Sequence, residues 1–366
     1  MNQARHRPTF ASVNLSAIRA NIKQELANAK GAKVFAVVKA NGYGHGASQI
    51  AKAAVAAGAS GLCVSNLDEA LDLRQQLSVP ILVLSEIPVQ YAKLAIKHQI
   101  TLTAARVEFL EELRAVDDLE QLKIHLKLDT GMGRIGLRTV EEIKQAEGLI
   151  NQLGVIFEGV FTHFATADEP NQDYFNQQIE RFNRLKASFA KLPELVHVSN
   201  TAASLWHQAC GGNLVRFGIG IYGLNPAGRA LAAPFTLQPA LSLISQLTHV
   251  KEVGAAEFIS YGATYQTKQT EWIGTVPIGY ADGWFRRLQG FELLVEGQWC
   301  EIIGRICMDQ LMIRLPKAFP VGTKVTLIGQ DGNQEITMQS VAEYSKTIHY
   351  EIACALSDRV PRFYVD

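Results

Sequence analysis

The chain has 366 residues, 48% of them hydrophobic and 19% charged, which fits about two globular domains and excludes a disordered chain. Its 35 Lys and Arg balance 35 Asp and Glu, so no charge excess points to nucleic acid or an anionic membrane as partner. No window approaches the roughly 18 uninterrupted apolar residues of a membrane helix. The polar, basic start from Met1 to Phe10 is not followed by the apolar run of a signal peptide, so the expected location is cytoplasmic. Cys63, Cys210, Cys300, Cys307 and Cys354 are widely spaced, with no CxxC and no zinc-type Cys/His pair. They read as reduced thiols, and no metal site is expected.

The first predicted helix starts at Leu15: Leu15, Ile18, Ile22 and Leu26 fall on one face, with Asn14 as a candidate N-cap. Strands are predicted at Lys33–Val38, Gly61–Ser65, Pro80–Leu84, Ile100–Thr103, Lys123–Leu128, Val155–Thr162, Leu195–Val198 and Leu214–Phe217. Runs such as Val34–Val38 are apolar on consecutive residues, as parallel strands covered on both faces are. Helical patterns fill the gaps at Ala47–Ala57, Leu67–Leu77, Val89–Lys97, Arg106–Ala115, Val140–Leu153, Gln172–Lys191 and Ala202–Cys210. About eight strand–helix repeats predict an α/β fold, a (β/α)8 TIM barrel over residues 12–231, with a doubly wound open sheet as the competing arrangement. Beyond Leu231 helical periodicity fades. Strands are predicted at Leu241–Val253, Thr275–Tyr280, Phe291–Val295, Cys300–Gly304, Met308–Leu315 and Lys324–Ile328, with one helix near Met338–Tyr344. Residues 232–366 therefore read as a mostly antiparallel β domain, against which residues 1–11 are expected to pack.

In a barrel of this kind, reactive groups sit at the C-terminal strand ends. The ends here carry Lys39, Lys127, His163, Asn200 and Arg216 in otherwise apolar surroundings. A lysine leaving a buried strand is partly desolvated, which disfavours its ammonium form, and a neutral amine can form a Schiff base. Gly218, Gly220 and Gly223 follow the eighth strand, where barrels build phosphate sites from backbone N–H groups, and Thr201 adds a hydroxyl. An amine and a phosphate cradle together suggest pyridoxal 5′-phosphate.

Val37-Val38-Lys39-Ala40-Asn41-Gly42-Tyr43-Gly44-His45-Gly46 resembles the cofactor-lysine signature of alanine racemases, the fold-type III pyridoxal-phosphate enzymes. So do the segments Lys127–Gly136, Thr162–Ala165, Ser199–Ala202, Arg216–Gly223, Ser260–Tyr265, Ile278–Gly283 and Gly304–Gln310, which follow the family's order over nearly the whole chain. The resemblance implies that Lys39 holds the cofactor and is one of two bases. Tyr261 of a partner subunit would be the other. Arg216 would bind the pyridine nitrogen. Tyr43, Thr201, Gly218, Ile219 and Tyr350 would bind the phosphate. His163 would contact the ring, with Asn200 nearby. Arg134 and the Met308 backbone N–H would hold the substrate carboxylate. Lys127 matches a lysine often carbamylated in the family, and Tyr280 would narrow the entrance. Thr201 stands where many members have serine and Gly42 where many have alanine, both mild departures. His45, His125 and His197 keep structural readings, and Cys307 reads as a packing residue.

The implied reaction is the interconversion of L- and D-alanine in a homodimer, supplying D-alanine for peptidoglycan. Two opposed bases suit it, because a proton leaves one face of the α-carbon and returns to the other. A racemase for serine or for a wider range of amino acids is the nearest alternative. A fold-type III decarboxylase would lack the Ser260-Tyr261-Gly262 segment, and a cofactor-carrier barrel would need neither Tyr261 nor a second domain.

Overall fold

The computed structural model describes residues 3–366. The chain divides into two compact units: one takes Ser16–Gly42 and Ala47–Pro239, the other the chain up to Leu15, Tyr43–Gly46 and Ala240–Asp366. Strand β1 (Phe10–Asn14) belongs to the latter.

The first unit contains β2 (Lys33–Val37), β3 (Gly61–Val64), β4 (Ile81–Val83), β5 (Leu102–Ala104), β6 (Lys123–Lys127), β7 (Ile156–Phe161), β8 (Leu195–His197) and β9 (Leu214–Phe217). All pair in parallel, in the orders β4-β3-β2-β9 and β5-β6-β7-β8. A parallel bridge between Leu82 and Thr101 joins the two rows on one side. On the other, Asn213 N–H donates to Val196 O at 2.9 Å and Arg216 N–H to Ser199 O at 3.0 Å. The result is an eight-stranded barrel whose C-terminal strand ends carry the polar groups. Strands such as β3 are buried at every residue, which is why they are uniformly apolar. The intervening helices have local causes. Val140–Leu153 starts in a reciprocal capping box between Thr139 and Glu142 and ends at left-handed Gly154.

One irregularity shapes the barrel interior. Ile124 pairs with Phe157 but His125 pairs with Gly159, so Glu158 is an extra residue in β7. The bulge brings Glu158 to hydrogen-bonding distance of His125. A Cβ on Gly159 would lie 2.6 Å from the His125 ring, so this position has room for no side chain.

The second unit holds β1 with β10 (Leu241–Gln246), β11 (His249–Val253), β12 (Phe258–Ile259), β13 (Tyr265–Gln266), β14 (Glu271–Val276), β15 (Glu292–Val295), β16 (Gln298–Ile303), β17 (Leu311–Leu315), β18 (Lys324–Asp331), β19 (Gln334–Ile336) and β20 (Arg362–Val365). The main sheet runs β11-β14-β17-β16-β15-β18-β10-β1-β20, antiparallel throughout except for the β1–β20 pair. Ile259, Ile273 and Ile303 form one of its apolar clusters. Arg7 grips fully buried Asp282 through two N–H···O bonds of 3.0 and 2.6 Å.

The predicted strand Leu241–Val253 is two strands, broken at Leu247–Thr248. The strand expected at Thr275–Tyr280 lies earlier, at Glu271–Val276, and Tyr280–Asp282 is a 3-10 turn. Met308 precedes its strand, which starts at Leu311. The C-terminal region has a second helix, His349–Ala355, besides Met338–Tyr344.

Candidate active site

Lys39 follows β2, and the backbone beyond it is left-handed: φ is 53° at Ala40, 52° at Asn41, 60° at Gly42 and 49° at Tyr43. Gly42 N–H donates to Val38 O at 2.9 Å, and Asn41 Oδ1 accepts the Ala47 N–H at 3.0 Å. Left-handed turns of residues that carry a Cβ cost about 1–2 kcal/mol per residue, so this turn needs support from its surroundings.

Arg216 lies on β9, which pairs with β2 in the register Phe35–Arg216. Its guanidinium is buried among neutral partners. One terminal nitrogen donates to His197 Nδ1 at 2.7 Å and His197 O at 2.9 Å, the other to Thr162 O at 2.7 Å and Val198 O at 3.2 Å. Burial lowers its pKa to about 10, with nearby Cys63 working against that shift and Arg134 adding to it. It therefore stays cationic at neutral pH.

Arginine has only N–H donors, so His197 Nδ1 must accept. His197 Nε2 lies 2.8 Å from His125 Nδ1, and His125 Nε2 lies 3.2 Å from Glu158 Oε2. Burial, followed by the Arg216 charge and other cationic neighbours, holds His197 well below its ordinary value, and burial also lowers His125. Two neutral imidazoles permit one proton arrangement: His197 Nε2–H donates to His125, and His125 Nε2–H donates to Glu158. Burial alone would raise Glu158, but its bonds from His125 and Lys123 prevail and bring it down to about 2. Glu158, ion-paired with Lys123 at 2.7 Å, thus ends a hydrogen-bonded chain that reaches Arg216 through two imidazoles. His125 and His197, read from the sequence as structural, are fully buried, and they also link Arg216 to Glu158. Their positions inside barrel strands, in Ile124-His125-Leu126 and Val196-His197-Val198, were the available signal.

His163 Nδ1 lies 3.4 Å from Arg216 and its Nε2 3.4 Å from Asn200 Nδ2. Burial first, then Arg216, Arg134, Lys127 and Lys39, holds His163 far below its ordinary value and therefore neutral. Asn200 Oδ1 caps the helix Thr201–His207 through the Ala203 N–H. Thr201 Oγ1 accepts the Gly218 N–H at 2.8 Å, which brings Thr201, Gly218 and the following Ile219 together.

Lys127, at the end of β6, is buried with its amine donating to Leu128 O at 2.7 Å and 5.5 Å from the Phe161 ring centre. Burial, then Arg216, lowers its amine to about 7, against an opposing pull from Asp129. The loop that follows carries Arg134. Asp129 Oδ1 accepts the Gly131 and Gly133 N–H groups at 3.1 and 3.0 Å. At Gly136, φ is 126° and a Cβ would lie 2.6 Å from Asp129 N.

The β-rich unit brings together two further groups. Tyr43 is buried with its ring 6.2 Å from that of Tyr350. Tyr261 and Met308 are 71% and 52% exposed on this chain, and with Ser260, Cys307 and Asp309 they line an open groove. Tyr261 sits in a tight turn fixed by Ser260 Oγ, which donates to Arg305 O at 2.5 Å. A Cβ on Gly279 would lie 2.3 Å from Cys307 O and 2.4 Å from Met308 O, so the Gly279 backbone presses directly on the Met308 segment. Tyr280 follows it, partly exposed.

A parallel barrel with cationic and imidazole groups at its strand ends, in a chain that also carries an antiparallel β unit, defines an α/β-barrel enzyme. Residues 13–226 match the family described as alanine racemase, N-terminal domain, and residues 240–364 match alanine racemase, C-terminal domain. The alanine racemase of Pediococcus pentosaceus is 54% identical over 364 residues, covering 99% of this chain and 97% of that protein. The crystal structure of alanine racemase from E. faecalis superposes with a TM-score of 0.98 at 51% identity, covering all of both chains. A histidine racemase from Leuconostoc mesenteroides subsp. sake superposes with a TM-score of 0.94 at 35% identity, also over all of both chains. The chain belongs to the alanine racemase family and is an isomerase of amino acids. Among the described residues no helix is long and apolar enough to cross a membrane.

Proposed function

We propose that the chain interconverts L- and D-alanine with pyridoxal 5′-phosphate held on the Lys39 amine. It works as a cytoplasmic homodimer in which Tyr261 and Met308 of the partner subunit complete each site. The D-alanine formed would supply cell-wall peptidoglycan.

The observation that carries this reading is Arg216: a buried permanent cation whose hydrogen bonds go to carbonyl and imidazole acceptors, on the strand beside Lys39. Such a group suits a neutral ring nitrogen that accepts a hydrogen bond. The Thr201 hydroxyl and the Gly218 and Ile219 backbone, gathered at the end of β9, suit the phosphate. Tyr43 and Tyr350 are assigned to the same phosphate. When bound, the cofactor supplies an electron sink that acidifies the substrate α-proton.

Lys39 accepts and returns a proton on one face of the α-carbon. Tyr261 of the partner subunit does so on the other, because one base cannot serve both faces. Arg216, acidic only near 10, would hold the ring nitrogen by a hydrogen bond without surrendering its own proton. His163, neutral and with Asn200 beside it, would contact the ring. Arg134 and the partner's Met308 N–H hold the substrate carboxylate. Lys127, with an amine partly neutral near pH 7, is suited to carbamylation, which would place an anion beside Arg134.

The test follows circular dichroism of L-alanine solutions. Wild type removes the signal, while Lys39→Ala and Tyr261→Phe each slow its loss by at least about a hundredfold. Co-expressing these two variants then recovers about a quarter of wild-type activity, since random pairing rebuilds one site in each mixed dimer. No recovery on mixing would place both bases in one chain. No decay with wild type would move the substrate to another amino acid.

A further inference from the structure

One carboxylate lies against the reactive lysine's backbone and has no part in the roles above. Glu69 is in the first turn of the helix Leu67–Arg74, whose N-cap Asn66 accepts the Glu69 N–H at 2.9 Å. A glutamate at this position ordinarily turns back to the N-cap N–H. Here Oε2 accepts the N–H of Ser65, one residue earlier, at 2.7 Å, and Oε1 accepts the N–H of Ala40 at 2.7 Å. A single carboxylate therefore ties the end of β3 to the turn after β2, and the Ala40 bond does nothing for the helix.

We propose that Glu69 is a positioning residue for Lys39. This role presupposes the one proposed for Lys39 above. Ala40 follows Lys39 directly, with φ 53° and ψ 53°, and the left-handed path continues through Asn41 and Gly42. A residue with a Cβ prefers other conformations, so the peptide joining Lys39 to Ala40 is held against its own preference. Its N–H sets the orientation of that peptide, and that orientation fixes the direction in which the Lys39 side chain leaves the backbone. Ala40 is exposed, so water competes for its N–H. An ionised acceptor makes the stronger bond and wins that competition. Asn41 Oδ1, bonded to Ala47 N–H, anchors the far side of the turn. Glu69 holds the Lys39–Ala40 peptide through the Ala40 N–H.

Glu69→Gln keeps the size but leaves one acceptor oxygen for two N–H groups. It is expected to lower kcat/KM about tenfold or more while the melting temperature stays near wild type. The diagnostic readout is the α-deuterium isotope effect measured separately with each enantiomer. Displacing Lys39 raises it for the enantiomer whose α-hydrogen faces Lys39 and leaves the other unchanged. A second readout needs no turnover: apo-protein mixed with pyridoxal 5′-phosphate develops its visible band about tenfold more slowly. Glycine takes left-handed angles freely, so the loss shrinks in an Ala40→Gly background. If Glu69→Gln does not fold, Glu69→Asp, too short to reach both amides, carries the same comparison. Equal isotope effects for both enantiomers, or an undiminished loss with Ala40→Gly, overturn the inference. Lys39→Ala separates the two readings. If it keeps the band and activity, the role of Lys39 itself falls. If it loses both and the enantiomers respond alike, only the role of Glu69 falls.

Discussion

Replacing Lys127 with methionine tests the electrostatics of the barrel end. Methionine matches the length of the stem without its charge, and Leu128 O keeps a donor in the Thr162 hydroxyl at 3.0 Å. The Lys127 amine is lowered from 10.5 to about 7 in the folded chain. A depressed lysine destabilises the fold wherever the unfolded chain binds the extra proton, so stability rises with pH through that window. At about 1.4 kcal/mol per pKa unit, the full effect approaches about 5 kcal/mol below pH 7 and falls to about 2 kcal/mol at pH 9. Relative to Lys127→Met, the wild type should therefore gain about 3 kcal/mol between pH 6 and pH 9 in bicarbonate-free buffer. Apparent melting temperatures of both proteins are the assay, since a two-unit chain need not unfold in two states. Adding bicarbonate should raise the wild-type value and leave the variant unchanged, because a carbamate is an anion placed near Arg216 and Arg134. Parallel pH profiles for the two proteins would refute the reasoning.

Glu158→Gln removes a carboxylate held at about 2, against an ordinary value near 4.5. A depressed carboxylate contributes stability above its unfolded value and loses it as pH falls toward the folded one, so the variant should melt lower at pH 7. The gap should close as pH drops below about 4.5, as melting curves will show. Gly279→Ala should displace the Met308 segment, because the added Cβ meets two backbone carbonyls within 2.4 Å. The expected outcome is a raised KM for alanine with normal cofactor loading, checked by steady-state kinetics and the cofactor absorbance.

The barrel was legible because its strands are covered on both faces. Runs such as Val34–Val38 and Ile81–Val83 have no polar positions to blur their limits. The β-rich unit was less so. Its half-exposed strands mix polar and apolar residues, as in β11, whose five residues are all partly or fully exposed. The break at Leu247–Thr248 and the second C-terminal helix left no comparable trace. The strand-end lysine, histidine and arginine stood out as polar groups against apolar runs. Glu158 did not, because its role depends on a bulge that only strand pairing creates. Glu69 looked like an ordinary first-turn glutamate, because its second partner is 29 residues away.

The interleaving of the two units also orders events during synthesis. The barrel's residues end at Pro239, so that unit can complete while the ribosome is still making the rest. β1 has left the ribosome long before, yet both its neighbours, β10 and β20, lie beyond that point, and β20 closes with Val365. The earliest strand is thus among the last to be fixed, and it waits with open edges while the barrel folds. A chain stalled short of Arg362 would carry a closed barrel and an unfinished sheet with an exposed pairing edge, the form most open to proteolysis and self-association.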